Sequence, residues 1–214
     1  MKKLLLILTL GIFIATQTAT AQNDPKAKAI LEGVSKKVKS LKSMKANFVL
    51  NLTGGKVKDT KKGTLSLKGE KYHIVLGSQE IICDNATSWT YNKDTKEVQI
   101  SAANQGEQSI SPAKLLTNAY DKDYKYTYKG EKKEQGKSCD LIELFPKDAS
   151  KKISKIELYV DKATSMVASV NTFDKNGNQT QYILSNLTQN PNLPDTYFTW
   201  NQKEHPGVEV VDLR

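Results

Sequence analysis

The sequence predicts a mainly β protein of short antiparallel strands, sandwich or barrel in class, with a helix at its front and another inserted between strands. Short segments that alternate apolar with polar side chains follow one another closely, punctuated by glycine, asparagine and aspartate. The spacing becomes that of an amphipathic helix at only a few points. The segments add up to roughly ten or eleven strands.

The chain of 214 residues opens on Lys2 and Lys3, an apolar run over residues 4–14, and the small residues Ala19-Thr20-Ala21. This is the pattern of a secretory signal peptide cleaved after Ala21. A membrane-spanning helix needs about 20 apolar residues, and this run is shorter. The first cysteine is Cys83, so the expected mature chain, residues 22–214, has no thiol near its start for lipid attachment. It is read as one soluble, monomeric domain, large enough for a substantial core.

Cleavage removes two lysines and leaves 30 basic against 23 acidic side chains. Such an excess suits nucleic acid, an anionic membrane surface or an acidic partner. The lysines are scattered among strands and turns with little arginine, which favours solvated faces and argues against nucleic acid. Cys83 and Cys139 are an even pair, and an oxidising compartment allows them to bond. Their strand-like neighbours, Ile81 and Ile82, Leu141 and Ile142, equally suit free thiols in a core.

In the mature chain, Asp24-Pro25 is a helix start, with an N-cap followed by proline at the first position. Ile30, Leu31, Val34, Val38 and Leu41 then form an apolar stripe, with Lys36, Lys37, Lys39 and Lys42 on the other side. From Met44 the period is two, through Ala46, Phe48, Leu50 and Leu52 to Gly54-Gly55. Strands follow at residues 64–68, 72–76, 80–83, 88–91 and 97–100. Ser111-Pro112 caps a short inserted helix with Leu115, Leu116 and Tyr120 on one side, which reads as a plug on the sheet or as a moving lid. Residues 124–128 and 139–145 make a hairpin across the Gly130–Gly136 turn. The meander of residues 155–160, 166–173 and 179–187 turns at Asp161-Lys162-Ala163-Thr164 and at Asn176-Gly177. Residues 193–200 and 207–212 complete the strands.

Catalysis has little to build on. His73 and His205 lie in no nucleophile motif, there is no phosphate loop, and no Cys-x-x-Cys or histidine spacing suggests a metal site. The expectation is a binding module without catalytic residues, metal or cofactor.

Several stretches, in order, carry a resemblance: Ser43-Met44-Lys45-Ala46-Asn47-Phe48 after the helix, Gly63-Thr64-Leu65-Ser66-Leu67 leading to Tyr72, Asp84 through Trp89 to Tyr91-Asn92, and Phe198-Thr199-Trp200 to Gly207–Asp212. Together they resemble the LolA family of periplasmic outer-membrane lipoprotein carriers. The resemblance implies an incomplete antiparallel barrel of about 11 strands, with its apolar cavity covered by helices. It also implies acylated lipoproteins as cargo, an inner-membrane ATP-driven transporter as donor and an outer-membrane acceptor. The cavity is expected from Phe48, Leu50, Leu65, Leu67, Tyr72, Ile74, Trp89 and Tyr91, and the lid from Leu115, Leu116 and Tyr120. Lys68 stands where the family has an arginine followed by proline that ties the lid. Here Lys68-Gly69 lacks the bidentate guanidinium, and Leu50 replaces a glutamine frequent in the family. The related membrane-anchored acceptor carries a lipidated N-terminal cysteine, which is absent near the cleavage position here. A sensor domain of the same fold, binding a regulatory protein or a mislocalised lipoprotein, is the alternative.

The intact mass of exported protein is expected to match residues 22–214, allowing for cyclisation of Gln22, with no acyl increment. Retention of a longer N-terminus or an acyl mass overturns the processing expectation.

Overall fold

The computed structural model describes residues 23–55, 57–103 and 120–214, so the expected signal peptide and the expected lid residues Leu115 and Leu116 lie outside it. Helix α1 (Pro25–Ser40) begins as its sequence dictates. Asp24 Oδ1 accepts from the N–H groups of Lys26 at 2.8 Å and Ala27 at 3.2 Å, and Pro25 lacks only a donor that a helix start leaves unused. Ala27, Leu31, Val34 and Val38 are its buried stripe. Leu41 turns extended, and the period-two pattern takes over.

The strands are β1 (Met44–Gly54), β2 (Val57–Lys68), β3 (Lys71–Leu76), β4 (Gln79–Cys83), β5 (Thr87–Asn92), β6 (Glu97–Ala102), β7 (Tyr124–Glu134), β8 (Lys137–Pro146), β9 (Ile153–Asp161), β10 (Met166–Asp174), β11 (Gln179–Gln189) and β12 (Glu209–Asp212). A one-turn helix α2 (Tyr120–Asp123) precedes β7. The twelve strands among the described residues form one sheet in the order β12-β6-β5-β4-β3-β2-β1-β11-β10-β9-β8-β7. Every pairing is antiparallel except β12 with β6, which is parallel. Among the described residues the edge strands β7 and β12 do not pair with each other, so the sheet stays open.

The expected incomplete barrel is thus a twelve-stranded open sheet, with differences from the sequence reading at its end. Residues 193–200 do not form a strand: Asp195–Phe198 is a 3-10 turn within a segment, residues 190–208, that crosses the back of the sheet. The alternation of Phe198 with Trp200 misled because both side chains dip into a sheet face instead of joining a ladder. Pro191 and Pro194 remove ladder donors in the same segment. That crossover also explains the parallel pairing of β12, which no tight hairpin can produce.

Strand β1 separates the two faces. Met44, Ala46, Phe48 and Leu50 are buried on the face that carries α1, here called inner, while Lys45 and Asn47 point out. The inner core joins Val34 and Leu31 of α1 to Ile142, Leu144, Ile156, Leu158 and Val170. Among these, Leu144, Leu158 and Ile142 are completely buried.

The start of α1 also closes the β7 edge. The Tyr126 N–H donates to Asn23 Oδ1 at 3.3 Å, the Tyr128 N–H donates to Asp24 Oδ2 at 3.0 Å, and the Asp24 N–H donates to Tyr126 O at 3.3 Å. Asp24 therefore caps a helix with one oxygen and an open sheet edge with the other. The Tyr128 N–H first, against a desolvation cost and with help from the Ala27 and Lys26 N–H groups, holds its carboxyl below the usual carboxylate range.

Asp24→Ala is expected to destabilise the fold by about 1–2 kcal/mol, and Asp24→Asn by less. A depressed folded pKa means the ionised form contributes stability above the unfolded value of about 3.9, and this is lost as pH falls through the folded value. Urea unfolding should show the gap between wild type and Asp24→Ala at neutral pH narrowing in acid. A constant gap overturns the charge-dependent part.

Candidate functional site

The register of the β1, β2 and β3 ladders brings Phe48, Leu50, Leu65, Leu67, Tyr72 and Ile74 onto the inner face. Met44 pairs with Leu67, Ala46 with Leu65 and Phe48 with Gly63, and across the next ladder Leu65 pairs with Ile74 and Leu67 with Tyr72. Gly63 is required by this packing. A Cβ there would stand 2.4 Å from Phe48 Cζ and 2.5 Å from Val75 O, so the ring lies where any side chain would be.

Burial is uneven along this face. Under α1 the side chains are sealed, whereas Leu52, Tyr72, Ile74, Leu76 and Ile81 are half-buried and Tyr182 is 38% exposed. Tyr182 lies across from Leu50, its ring 6.2 Å from that of Phe48. Burial chiefly, with Cys83 adding to it, pushes the Tyr72 phenol up to about 12. A cavity of about 200 Å³ opens at the end of α1 between Val38, Leu41, Met44 and Leu67, with Lys39 and Glu70 in its lining. A second, of about 80 Å³, lies on the other side of Met44 against Met166, Val167, Leu184 and Leu187. Met44 separates the two cavities with a flexible thioether side chain.

Trp89 and Tyr91, expected in the same cavity, are on the opposite face. Leu65 pairs with Ile74, Ile74 with Ile81 and Ile81 with Thr90, which leaves the odd residues of β5 pointing outward. They join a separate cluster with Val98, Val208 and Trp200. The difference from the expected cavity is one of parity: the strands are legible in the sequence but their pairing is not, and a shift of one residue exchanges the faces.

What covers this outer face is the crossing segment, residues 190–208. Asn190 Oδ1 accepts from the Lys42 N–H at 2.7 Å, and the Asn190 N–H donates to Ser43 O. Lys68 Nζ donates to Leu193 O at 2.9 Å and pairs with Asp195 at 2.8 Å, while Lys71 reaches the same carboxylate at 3.3 Å. The Lys68 and Lys71 ammonium groups hold the Asp195 carboxyl below its ordinary range. The His73 ring meets Tyr197 O through Nδ1 at 3.0 Å and Glu80 Oε1 through Nε2 at 2.7 Å. Farther along, Trp200 stacks on His205 at 3.9 Å and packs on Tyr91 at 4.9 Å. The described partners of Lys68, expected as a lid tether, thus lie in this strap. Asp195 escaped the sequence reading because its two lysines are more than a hundred positions away.

Tyr120, the described member of the expected lid, opens α2 with its ring buried in the main core and its phenol pushed up by that burial. Cys83 and Cys139 are both free and buried. Cys83 pairs with Tyr72 on the inner face and Cys139 with Asp161 on the outer, so the bond that their compartment would allow cannot form. Burial raises both thiols above the ordinary range.

A wide open sheet with one apolar face partly sealed by a helix, and with a cavity at that helix's end, defines a binding fold of the carrier type. The family model of the outer membrane lipoprotein carrier protein LolA matches residues 39–201. The chain belongs to the LolA family. An outer-membrane lipoprotein carrier protein of Shewanella sp. (strain ANA-3) is 28% identical over 192 residues, 87% of this chain and 85% of that one. One from Legionella pneumophila (strain Lens) is 27% identical over 133 residues, and the match spans 62% of each chain. The crystal structure of an uncharacterised conserved protein from Thermus thermophilus shares the fold, with a TM-score of 0.61 at 13% identity over 87% of this chain and 99% of that one.

Phe198, within the strap, is fully buried. Phe198→Ala is expected to cost about 3–5 kcal/mol in urea unfolding and to expose residues 190–208 to protease before the rest of the chain. Cleavage no faster than in wild type overturns its role as the anchor of the strap.

Proposed function

We propose that this protein is a periplasmic carrier that takes the acyl chains of lipoproteins onto its inner face and moves them from the inner to the outer membrane. The observation that carries the reading is the half-buried apolar strip of Leu52, Tyr72, Ile74, Leu76, Ile81 and Tyr182 beside a fully sealed core. Family membership and the relatives named as lipoprotein carriers support it.

The physical need is plain. An acyl chain of about 15 methylenes, at about 0.8 kcal/mol each, costs on the order of 12 kcal/mol to hold in water. A soluble container must cover it. Ligand pockets span about 300–1,000 Å³, and the cavity at the end of α1 is about 200 Å³. Taking up a chain therefore requires the inner face to open further, and the inserted segment with Leu115, Leu116 and Tyr120 is the proposed cover. Transfer of cargo needs no covalent step, hence no catalytic residue. The proposed route runs through a cleaved signal peptide, an ATP-driven transporter as donor and an outer-membrane acceptor.

Ile74→Glu tests the strip. Because Ile74 is half-buried, the variant should stay folded with a loss of about 1–3 kcal/mol. Leu158→Glu, on a side chain with no exposure, should unfold the protein. Release of a triacylated lipoprotein from membranes into the soluble fraction should be lost in Ile74→Glu and kept in Tyr91→Phe on the other face. A wild type that solubilises no acylated ligand overturns the carrier, and a folded Ile74→Glu variant with full release overturns the site.

A further inference from the structure

From Gly33 to Lys58 the chain holds no Asp or Glu, while Lys36, Lys37, Lys39 and Lys42 crowd the last turn of α1 and the residues just past it. Earlier in the helix Lys28 pairs with Glu32 and Lys26 lies over the Tyr128 ring. No ion pair joins the later four ammonium groups to a carboxylate among the described residues. Lys36, Lys39 and Lys42 are exposed. The helix dipole accounts for cations in a last turn, but not for Lys42, which lies beyond the helix, nor for what the cluster surrounds. Lys39 reaches the larger cavity, whose wall is Val38, Leu41, Met44 and Leu67 and whose lining also holds one carboxylate, Glu70.

Cations around an apolar opening fit a partner that is negative at its surface and apolar beneath. The choice of lysine narrows this further, for Arg214 is the chain's one arginine. Planar guanidinium groups suit individual carboxylates on a protein, whereas mobile point charges suit the smeared negative charge of a lipid surface. We propose that the last turn of α1, with Lys42, docks on an anionic phospholipid membrane and turns the cavity mouth toward the bilayer. The use of that orientation for loading or unloading rests on the carrier reading, while the docking itself does not.

Sedimentation with vesicles tests it: phosphatidylcholine alone, and phosphatidylcholine with a minor share of phosphatidylglycerol. Wild type should bind only the anionic vesicles, and less as salt rises. At about fivefold per lysine, Lys36→Gln/Lys39→Gln/Lys42→Gln should bind on the order of a hundredfold more weakly. Lys125→Gln/Lys132→Gln/Lys133→Gln, the same charge change on exposed β7 residues, should keep most of the binding. If the first variant fails to fold, Lys42→Gln alone, outside the helix, should still lose about fivefold. No binding by wild type, as expected if the true partner is an acidic protein, overturns the proposal, as does equal loss in both triple variants. Uptake of an acylated peptide without any membrane should be equal in wild type and in Lys36→Gln/Lys42→Gln, which leaves the lining residue Lys39 in place, and a loss there marks these lysines as part of the uptake site and overturns docking. Wild type that binds vesicles but takes up no acylated peptide upholds docking while the carrier reading falls.

Discussion

Everything in this sheet hangs on the register of β1. It lies between β2 and β11, so it joins the strands that run out to β12 on one side and to β7 on the other. Its even residues set the inner face for both wings: Phe48 stands opposite Gly63 on one side and Leu184 on the other. A slip by one residue would turn Met44, Phe48 and Leu50 to solvent and bring Lys45 and Asn47 inward. The strand is guarded against such a slip from both flanks. The Phe48 ring needs the missing side chain of Gly63, and the irregularity between Lys45 and Asn47 adjusts the ladder to β11 without changing the face of Phe48.

The two faces are then covered by unlike devices. Helix α1 covers the inner face with an apolar stripe, an interaction that is nondirectional and spread over many side chains. The outer face of β3 to β6 is covered by a strap with no regular structure of its own beyond short turns, and it is held by points: Lys68 and Lys71 on Asp195, His73 on Tyr197, Tyr91 on Trp200. The ion pairs contribute little individually because Asp195 is largely in water. Most of the strap's hold must come from Phe198 and the aromatic cluster, with the ion pairs setting where it crosses.

Local pattern was legible and long-range pairing was not. Asp24-Pro25 and the stripe to Val38 announce α1, and the alternation from Met44 announces β1, because caps and periods are written within a few residues. The Asn176-Gly177 turn is equally local, and Gly177 takes the positive φ of 83° that the pair suggested. The face of Trp89 and Tyr91 is not legible in the sequence because parity depends on pairing accumulated strand by strand from β1. Residues 193–200 carry the pattern of a strand because alternate burial looks the same whether a chain lies in a sheet or across it. For the site, Leu52, Leu76 and Ile81 share the alternation of their neighbours and could have been included from it. Tyr182 required knowing that β11 returns beside β1.

The uneven burial of the inner face divides labour between stability and, under the proposed carrier function, binding. The wing of β8 to β10 under α1 is sealed, with Leu144, Leu158 and Ile142 at zero exposure, and each such side chain gives a large share of the few kcal/mol by which a domain is stable. The wing of β3 and β4 is built from the same kinds of residue, yet Ile74, Leu76 and Ile81 remain partly in water. A fold selected for stability alone would gain by closing over them. Leaving them open is tolerable because the other wing suffices, and under the proposed carrier function it is useful because an apolar ligand would gain from burial the protein has not already taken. The same reasoning separates loading from unfolding. Opening the β3 and β4 wing exposes little that was sealed, whereas lifting α1 from β7 and β10 would break the core, so conformational change is cheapest on the wing where the ligand is expected to bind.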